Sequence, residues 1–301
     1  LRISEFGGKD RNESQDYDLK QDIFNYEFNT GNDSRNFISS SMKPNSLFPS
    51  PNGGLQAGTV QFRFKSSGIP AASNNIASGD IRYSQSLWIT DKNSGPPTWQ
   101  DTDLGAAVVL EYTGSGFVSG SYSGSVASQY DTWGTLKFYP DIEYNPDVSC
   151  SIYAPFFNKD WWSVQLTYTG SSLATTTASL FAANEINGKI GFSGSDKKTD
   201  LNQTSWDRST YFKINDSIDH TINATTYTPF SGSFQEYRMY SPMISESKFF
   251  DYTVNPYSNE GNGINSTPDE QFFRAALGTQ LDTGSTTSIH PRVTGSAVQI
   301  T

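Results

Sequence analysis

The chain has 301 residues, and because its 31 Asp and Glu outnumber its 21 Lys and Arg, its formal net charge is −10. Nucleic acids bind clustered Lys and Arg, so this charge argues against nucleic acid as a partner, and it argues equally against an anionic membrane surface. Only 17% of the residues are charged and 14% are aromatic. Because disordered chains show the opposite balance, we expect a folded protein of the all-β class.

The ends of the chain carry little targeting information. No apolar run approaches the roughly 20 residues of a membrane-spanning helix, so no membrane insertion is expected. The first residue is Leu1 rather than Met, and we expect the chain to be a processed product or a piece of a longer protein. Residues 1–19 are polar and charged, which predicts an N-terminal arm.

Alternation of apolar and polar residues predicts most of the strands. It is clearest in Thr59–Lys65 and in Trp161–Thr169, where Trp162 and Leu166 share one face, and it is weaker in Phe234–Tyr240. Further strand candidates are Phe24–Phe28, Ser86–Thr90, Ala106–Tyr112, Leu136–Tyr139, Ala178–Ala183 and Ile190–Phe192. Turn sequences such as Asn187-Gly188 separate them. Many short strands separated by turn sequences indicate a sandwich or jelly roll.

Helix signals are few and lie late in the chain. Thr267 can cap a helix over Pro268–Leu277, with Pro at its first position and Glu270 in the capping box, and Gly278 would end it. Ser245 precedes a weaker start of one or two turns. The residues after the predicted helix are rich in Thr and Ser and predict an extended tail.

Two segments resemble the laminin-G-like, concanavalin-A-like jelly rolls. The first is Trp161–Gly170, and the second is Gly232–Tyr240 followed by Met243–Glu246. Gln235 stands where that family usually has Asp, which weakens a polar or calcium role there. The resemblance implies a jelly-roll sandwich of two antiparallel sheets over residues 20–258. The short C-terminal helix and extended tail predicted above occupy residues 259–301.

A narrower resemblance concerns the segments after this sandwich. Phe249–Ser258, Asn262–Leu277 and Ser288–Pro291 are similar to uncharacterised virion proteins of marine viruses. The resemblance implies a structural or host-contact role on the virion surface. We also expect the chain to be present in several copies, as a homo-oligomer or among other virion proteins.

Catalytic motifs are weak. Asp141 and Glu143 have the spacing of a glycosidase carboxylate pair, but Asn145 and Pro146 follow and favour a loop. Asp282-Thr283-Gly284-Ser285 matches an aspartic-protease triplet, but the second carboxylate which that chemistry needs is missing. Cys150 has no identifiable activating group and fits a small buried hydrophobe. We therefore predict that the chain is not an enzyme.

Binding residues are more plausible than catalytic ones. Hard oxygen ligands suit calcium, and a loop-rich region offers candidate carboxylates at Asp91, Asp101 and Asp103. Their spacing fits no specific calcium-loop motif, so solvated loop acids and the absence of any cofactor remain the alternative.

Aromatic side chains in Gly- and Ser-rich loops could stack on sugar rings. The candidates are Trp99, Tyr130 and Trp133. These aromatic side chains could equally pack over the edge of the sandwich core or contact a neighbouring subunit.

The leading hypothesis is a non-enzymatic structural or adhesion module on a virion that contacts host glycans. The alternative is a carbohydrate-binding lectin domain of a cell-surface or secreted protein. A glycoside hydrolase with a degenerate carboxylate pair is the third hypothesis.

Overall fold

The structure is a computed structural model. It describes residues 26–28, 37–41, 57–69, 83–91, 104–112, 132–143, 145–170, 176–199, 201, 211–215, 218–222, 225–240, 243–256, 271–275, 293–294 and 297–300. In chain order its elements are β1 (Tyr26–Phe28), β2 (Phe37–Ser41), β3 (Ala57–Ser66), β4 (Tyr83–Asp91), β5 (Leu104–Tyr112), β6 (Gly134–Tyr139), β7 (Cys150–Ala154), β8 (Trp162–Gly170), β9 (Thr176–Ile186), β10 (Lys189–Lys198), β11 (Tyr211–Ile214), β12 (Ile218–Ile222), β13 (Thr225–Pro229), β14 (Gly232–Tyr240), α1 (Glu246–Val254), β15 (Gln271–Ala275), β16 (Val293–Thr294) and β17 (Ala297–Ile300).

The strands of the described residues form two sheets. One has seven strands in the order β1-β14-β3-β8-β9-β10, with β15 also paired to β14. The other has ten strands in the order β16-β17-β2-β11-β4-β5-β6-β7, and β13 pairs with both β4 and β12. The pairings are antiparallel except for β13 with β4 and β17 with β2. This confirms the predicted jelly-roll sandwich of two antiparallel sheets.

The main core lies between the sheets and is rich in aromatic rings. The predicted inward face of β8 is confirmed, because Trp162 and Leu166 are both fully buried. Across the core, the ring of Phe212 on β11 stacks on Tyr237 of β14 with centroids 4.5 Å apart. Large apolar side chains from both sheets therefore interdigitate as in other sandwiches.

A buried hydrogen bond joins the two sheets inside this core. The Trp88 indole Nε1–H on β4 donates to the Tyr237 hydroxyl at 2.9 Å. Burial raises the pKa of Tyr237 well above its ordinary value, while the hydrogen bond from Trp88 opposes that change. The hydroxyl therefore stays protonated and acts as the acceptor for the indole.

We expect Tyr237→Phe to lower the free energy of unfolding by about 1–3 kcal/mol, because the buried indole N–H loses this acceptor. Chemical denaturation of the single variants Tyr237→Phe and Trp88→Phe and of the double variant would measure it. The coupling energy between the two sites should be about 1 kcal/mol. A coupling near zero would show that the hydrogen bond adds nothing to stability.

The open side of the sandwich is closed by a side chain rather than by strand pairing. Strands β7 and β10 are the end strands of their sheets, and the backbone N–H of Ser151 on β7 donates to Oδ2 of Asp196 on β10 at 2.8 Å. A carboxylate at a strand edge occupies a donor that another strand could otherwise use.

Strand β10 follows β9 through Asn187 and Gly188, both with positive φ, so the turn predicted at this Asn-Gly pair is confirmed.

The outer face of each sheet is covered in part. On the ten-stranded sheet, the β12–β13 hairpin places Ile218, Ile222 and Tyr227 in a second buried cluster with residues of β4, β5 and β6. On the seven-stranded sheet, α1 packs over β8, β9 and β10. No helix in the described ranges is long and apolar enough to cross a membrane.

The weaker of the two helix predictions is confirmed, and the stronger is wrong for the residues the structure describes. Helix α1 begins after Ser245, whose side chain accepts a hydrogen bond from the Lys248 backbone N–H. Within the predicted helix Pro268–Leu277, residues Gln271–Ala275 instead form β15, which pairs with β14. A helix of about ten residues is marginal by itself, whereas the edge of β14 provides hydrogen bonds to an extended segment that contains two Phe.

Candidate functional site

An aromatic surface lies where β6, β7 and β10 meet. Trp133, which directly precedes β6, packs against Tyr153 of β7 with centroids 5.0 Å apart and against Phe192 of β10 at 6.2 Å. All three side chains are half-buried. We call Trp133, Tyr153 and Phe192 the Trp133 surface. Aromatic rings that are partly exposed to solvent and partly packed against the protein can contact a ligand without changing their conformation.

The main chain around Trp133 is held tightly. A Cβ at Gly134 would lie 2.5 Å from Cε2 of Phe157 and 2.6 Å from the backbone oxygen of Glu111, so only glycine fits there. Phe192 packs in turn on the buried Trp162 with centroids 5.7 Å apart. The Trp133 surface is therefore anchored to the main core, which lowers the entropy that binding would cost.

The second candidate is the outer face of the seven-stranded sheet, which is polar and yet buried. Its side chains bond across the strands: Gln61 Nε2 donates to Gln165 Oε1 at 2.6 Å, and Arg63 Nη1 donates to Gln235 Oε1 at 2.6 Å. Gln165 also donates to the backbone oxygen of Ile244, which precedes α1, at 3.0 Å. Because buried polar groups need partners, these bonds hold the covering segment on the sheet.

A buried ion pair continues this face. The Arg238 guanidinium lies 3.0 Å from Oε2 of Glu236, donates to the Pro256 backbone oxygen and places its Cζ 4.7 Å from the ring centroid of Tyr252 on α1. A bulge interrupts β14 between Gln235 and Arg238, and Glu236 within it has φ 55°.

A small cavity lies between this face and α1. Its volume is about 20 Å³, which is close to the space of one water molecule and far below a typical small-molecule pocket of about 300–1,000 Å³. The residues that line it include Gln61, Arg63, Ser163, Arg238, Tyr252 and Pro256. A whole sugar ring does not fit this cavity, but one end of a polar group does.

Polar donors cluster beside this cavity, around Trp161. The Arg63 Cζ and the Lys65 Nζ lie 5.5 Å and 5.6 Å from the Trp161 ring centroid. Ser163 is the Cα partner of Arg63 in the β3–β8 ladder. We call Arg63, Lys65, Trp161 and Ser163 the Trp161 patch. Sequence reasoning did not single it out, because the polar positions of an alternating strand predict solvent exposure rather than burial.

Most of the residues predicted to bind calcium or sugars lie outside the described residues. This holds for Asp101, Asp103, Trp99 and Tyr130 and for the side chain of Asp91, although the Asp91 backbone ends β4 opposite Tyr211. Among the side chains that the structure describes, no group of three or more His, Cys, Asp or Glu could hold a metal ion. Trp133 is thus the one predicted site residue whose surroundings can be described.

The residues weighed for catalysis occupy ordinary structural positions. Asp141 and Glu143 lie in the turn that follows β6. Cys150 is buried, its Sγ donates to the Ala178 backbone oxygen at 3.4 Å, and burial raises the pKa of its thiol to about 12 with a further contribution from Asp196. The thiol is therefore protonated at neutral pH, which disfavours a nucleophilic role. The triplet Asp282-Thr283-Gly284 lies outside the described residues.

Comparison with known proteins identifies similar structures but no family. No family model and no curated protein matches the chain. Among solved structures, the native heptameric SAP-like pentraxin from Limulus polyphemus is 12% identical, with a TM-score of 0.35, over 81% of this chain and 93% of the pentraxin. The binding domain of botulinum neurotoxin serotype G is 13% identical, with a TM-score of 0.34, over 68% of this chain and 38% of that chain.

A phage protein is similar at the same level. Full-length tailspike protein 2 from the Escherichia coli O157:H7 bacteriophage CAB120 is 12% identical, with a TM-score of 0.35, over 76% of this chain and 25% of the tailspike. Likenesses this remote assign no function to the chain.

Proposed function

We propose that this chain is a non-enzymatic structural or adhesion module of a virus particle and that its sandwich contacts host glycans. The observation that carries the binding part is the Trp133 surface, in which three half-buried aromatic rings meet at one side of the sandwich. Trp and Tyr are enriched at binding surfaces because they supply large rigid contact areas. The particle part is supported by the resemblance of Phe249–Ser258, Asn262–Leu277 and Ser288–Pro291 to virion proteins.

The geometry favours recognition by stacking over recognition in a deep pocket. The cavity beside α1 is too small for a sugar ring, whereas the rings of Trp133 and Tyr153 keep part of their area open to solvent. Phe192 joins this surface to the core. A glycan face could therefore stack on the Trp133 ring without a rearrangement of the sheets.

A glycan array is the first experiment. We expect the wild-type chain to bind at least one glycan, and Trp133→Ala to weaken that binding by about tenfold or more, as loss of a central aromatic contact does. Ile186→Ala is the matched control, because Ile186 is 49% exposed and lies outside the Trp133 surface. Equal glycan binding by the wild type and Trp133→Ala would show that Trp133 only packs over the edge of the core and does not contact glycans.

Mass analysis of purified particles tests the assembly part. We expect the chain in several copies per particle, associated with other structural proteins. Glycan binding without any particle association would favour the alternative of a cell-surface or secreted lectin.

The glycoside-hydrolase hypothesis has its own test, which is an assay of polysaccharide cleavage by the wild-type chain and by Glu143→Gln. Cleavage that Glu143→Gln abolishes would support that hypothesis.

A further inference from the structure

The Trp161 patch combines positive charge with hydrogen-bond donors. Arg63 and Lys65 both lie over the ring of Trp161. Cations within about 6 Å of an aromatic ring are attracted to its face, so the Trp161 ring helps to hold both charged groups at this position. Nearby, Asp160 is exposed; partial burial of its carboxyl raises the pKa of Asp160, and the Lys65 ammonium opposes that rise.

Two buried polar atoms of the patch have unmet hydrogen-bonding capacity. Trp161 Nε1 and Ser163 Oγ are buried, and neither has a hydrogen-bond partner among the described residues. Trp161 is 8% exposed and Ser163 is 5% exposed. An indole N–H can only donate, and a hydroxyl can donate, so both atoms would be satisfied by an acceptor. Buried donors without an acceptor are rare in native structures.

The space available sets the size of that acceptor. Ser163 and Arg63 line the cavity of about 20 Å³ beneath α1, and Lys65 is half-buried at the edge of the patch, next to the exposed Asp160. A single oxygen of a ligand would fill the cavity, while the remainder of the ligand would lie outside it.

We propose that the Trp161 patch binds an oxyanion, which is the carboxylate or sulfate group of an acidic saccharide or a free inorganic anion. Its guanidinium, ammonium, indole N–H and hydroxyl match the acceptor oxygens of such a group, and hydrogen bonds between charged partners are the strong ones. The neighbouring Glu236 is already paired with Arg238. The patch is separate from the Trp133 surface, so this proposal and the proposed function can fail independently.

Nuclear magnetic resonance of the ¹⁵N-labelled full chain tests the proposal directly. The indole Nε1–H signal of Trp161, identified by its loss in Trp161→Phe, is followed at constant ionic strength during titration with methyl glucuronide, sodium sulfate or methyl glucoside. We expect the glucuronide or the sulfate to shift this signal and the neutral glucoside to leave it unchanged. A glucuronide affinity at least tenfold above that of sulfate would identify an acidic saccharide, and the reverse order would identify a free anion.

Variants at the exposed edge of the patch make the test quantitative. Lys65→Gln should weaken oxyanion binding about tenfold, whereas Lys189→Gln, at an exposed lysine on β10, should not change it. Asp160→Asn should strengthen oxyanion binding, because it removes a carboxylate that competes with the bound anion for Lys65. The substituted side chain keeps an oxygen that can accept the hydrogen bond from Asn158 Nδ2. An unchanged Trp161 signal with both anions, or equal affinities for wild type and Lys65→Gln, would overturn the proposal.

Discussion

Trp162→Ala is expected to lower the free energy of unfolding by about 3–5 kcal/mol, the range typical of large truncations in a core. Trp162 is fully buried, and its ring packs on Phe156 with centroids 4.6 Å apart and on Phe192 at 5.7 Å. Its indole N–H also donates to Oδ1 of Asn158 at 3.2 Å. Truncation would leave a cavity among rings that cannot collapse fully.

Urea denaturation followed by circular dichroism would measure this loss. Phe181→Ala is the matched control, because Phe181 lies on the next strand, is only half-buried and packs on Phe249 of α1 at 6.2 Å. It should cost clearly less than Trp162→Ala. A loss below about 1 kcal/mol for Trp162→Ala would contradict the packing described for β8.

Arg238→Met should be comparably destabilising, by about 3–5 kcal/mol, because it leaves the Glu236 carboxylate buried without its cation. Both partners are nearly inaccessible, with side-chain exposures of 2% for Arg238 and 3% for Glu236. The variant also loses the contact of the guanidinium with the Tyr252 ring and its bond to the Pro256 backbone oxygen. The attachment of α1 to the sheet should therefore weaken as well.

The double variant Glu236→Gln with Arg238→Met separates these effects. It removes both charges and should recover a substantial part of the stability that Arg238→Met loses, since replacing a whole buried ion pair is often nearly neutral. Hydrogen exchange of the α1 amides reports the attachment of the helix. If the single and double variants were equally stable, the ion pair would not be the cause of the loss.

The strands with the clearest alternation could be found from the sequence. Thr59–Lys65 and Trp161–Thr169 correspond to β3 and β8. Their alternating apolar residues lie in the main core, namely Val60, Phe62, Phe64, Trp162, Val164, Leu166 and Tyr168. The Asn187-Gly188 turn and the cap at Ser245 were also recognisable, because turn and cap preferences depend on a few neighbouring residues. Strand β10 was predicted only over Ile190–Phe192, since its exposed Gly- and Ser-rich remainder lacks apolar alternation.

The helix predicted over Pro268–Leu277 shows the limit of such local reasoning. The capping residues and the apolar spacing of this segment both favour a helix, yet Gln271–Ala275 pairs with β14 as a strand. The available edge of β14 is far away in sequence, and no local pattern reports it. The bulge that places Glu236 at φ 55° is a second example, because it depends on the register of β14 against β3.

Both candidate sites are products of the tertiary structure. Trp133 was a candidate from its loop sequence, but Tyr153 and Phe192 join it only because β7 and β10 lie side by side at the ends of the two sheets. Arg63, Trp161 and Ser163 become a buried donor cluster because α1 and the residues around it cover the outer face of β3 and β8. The amino-acid sequence by itself determines the strands with clear alternation and the face that each of their side chains takes, since both depend on near neighbours. Only the tertiary structure decides which polar face is buried and which rings meet, because those contacts join residues many positions apart.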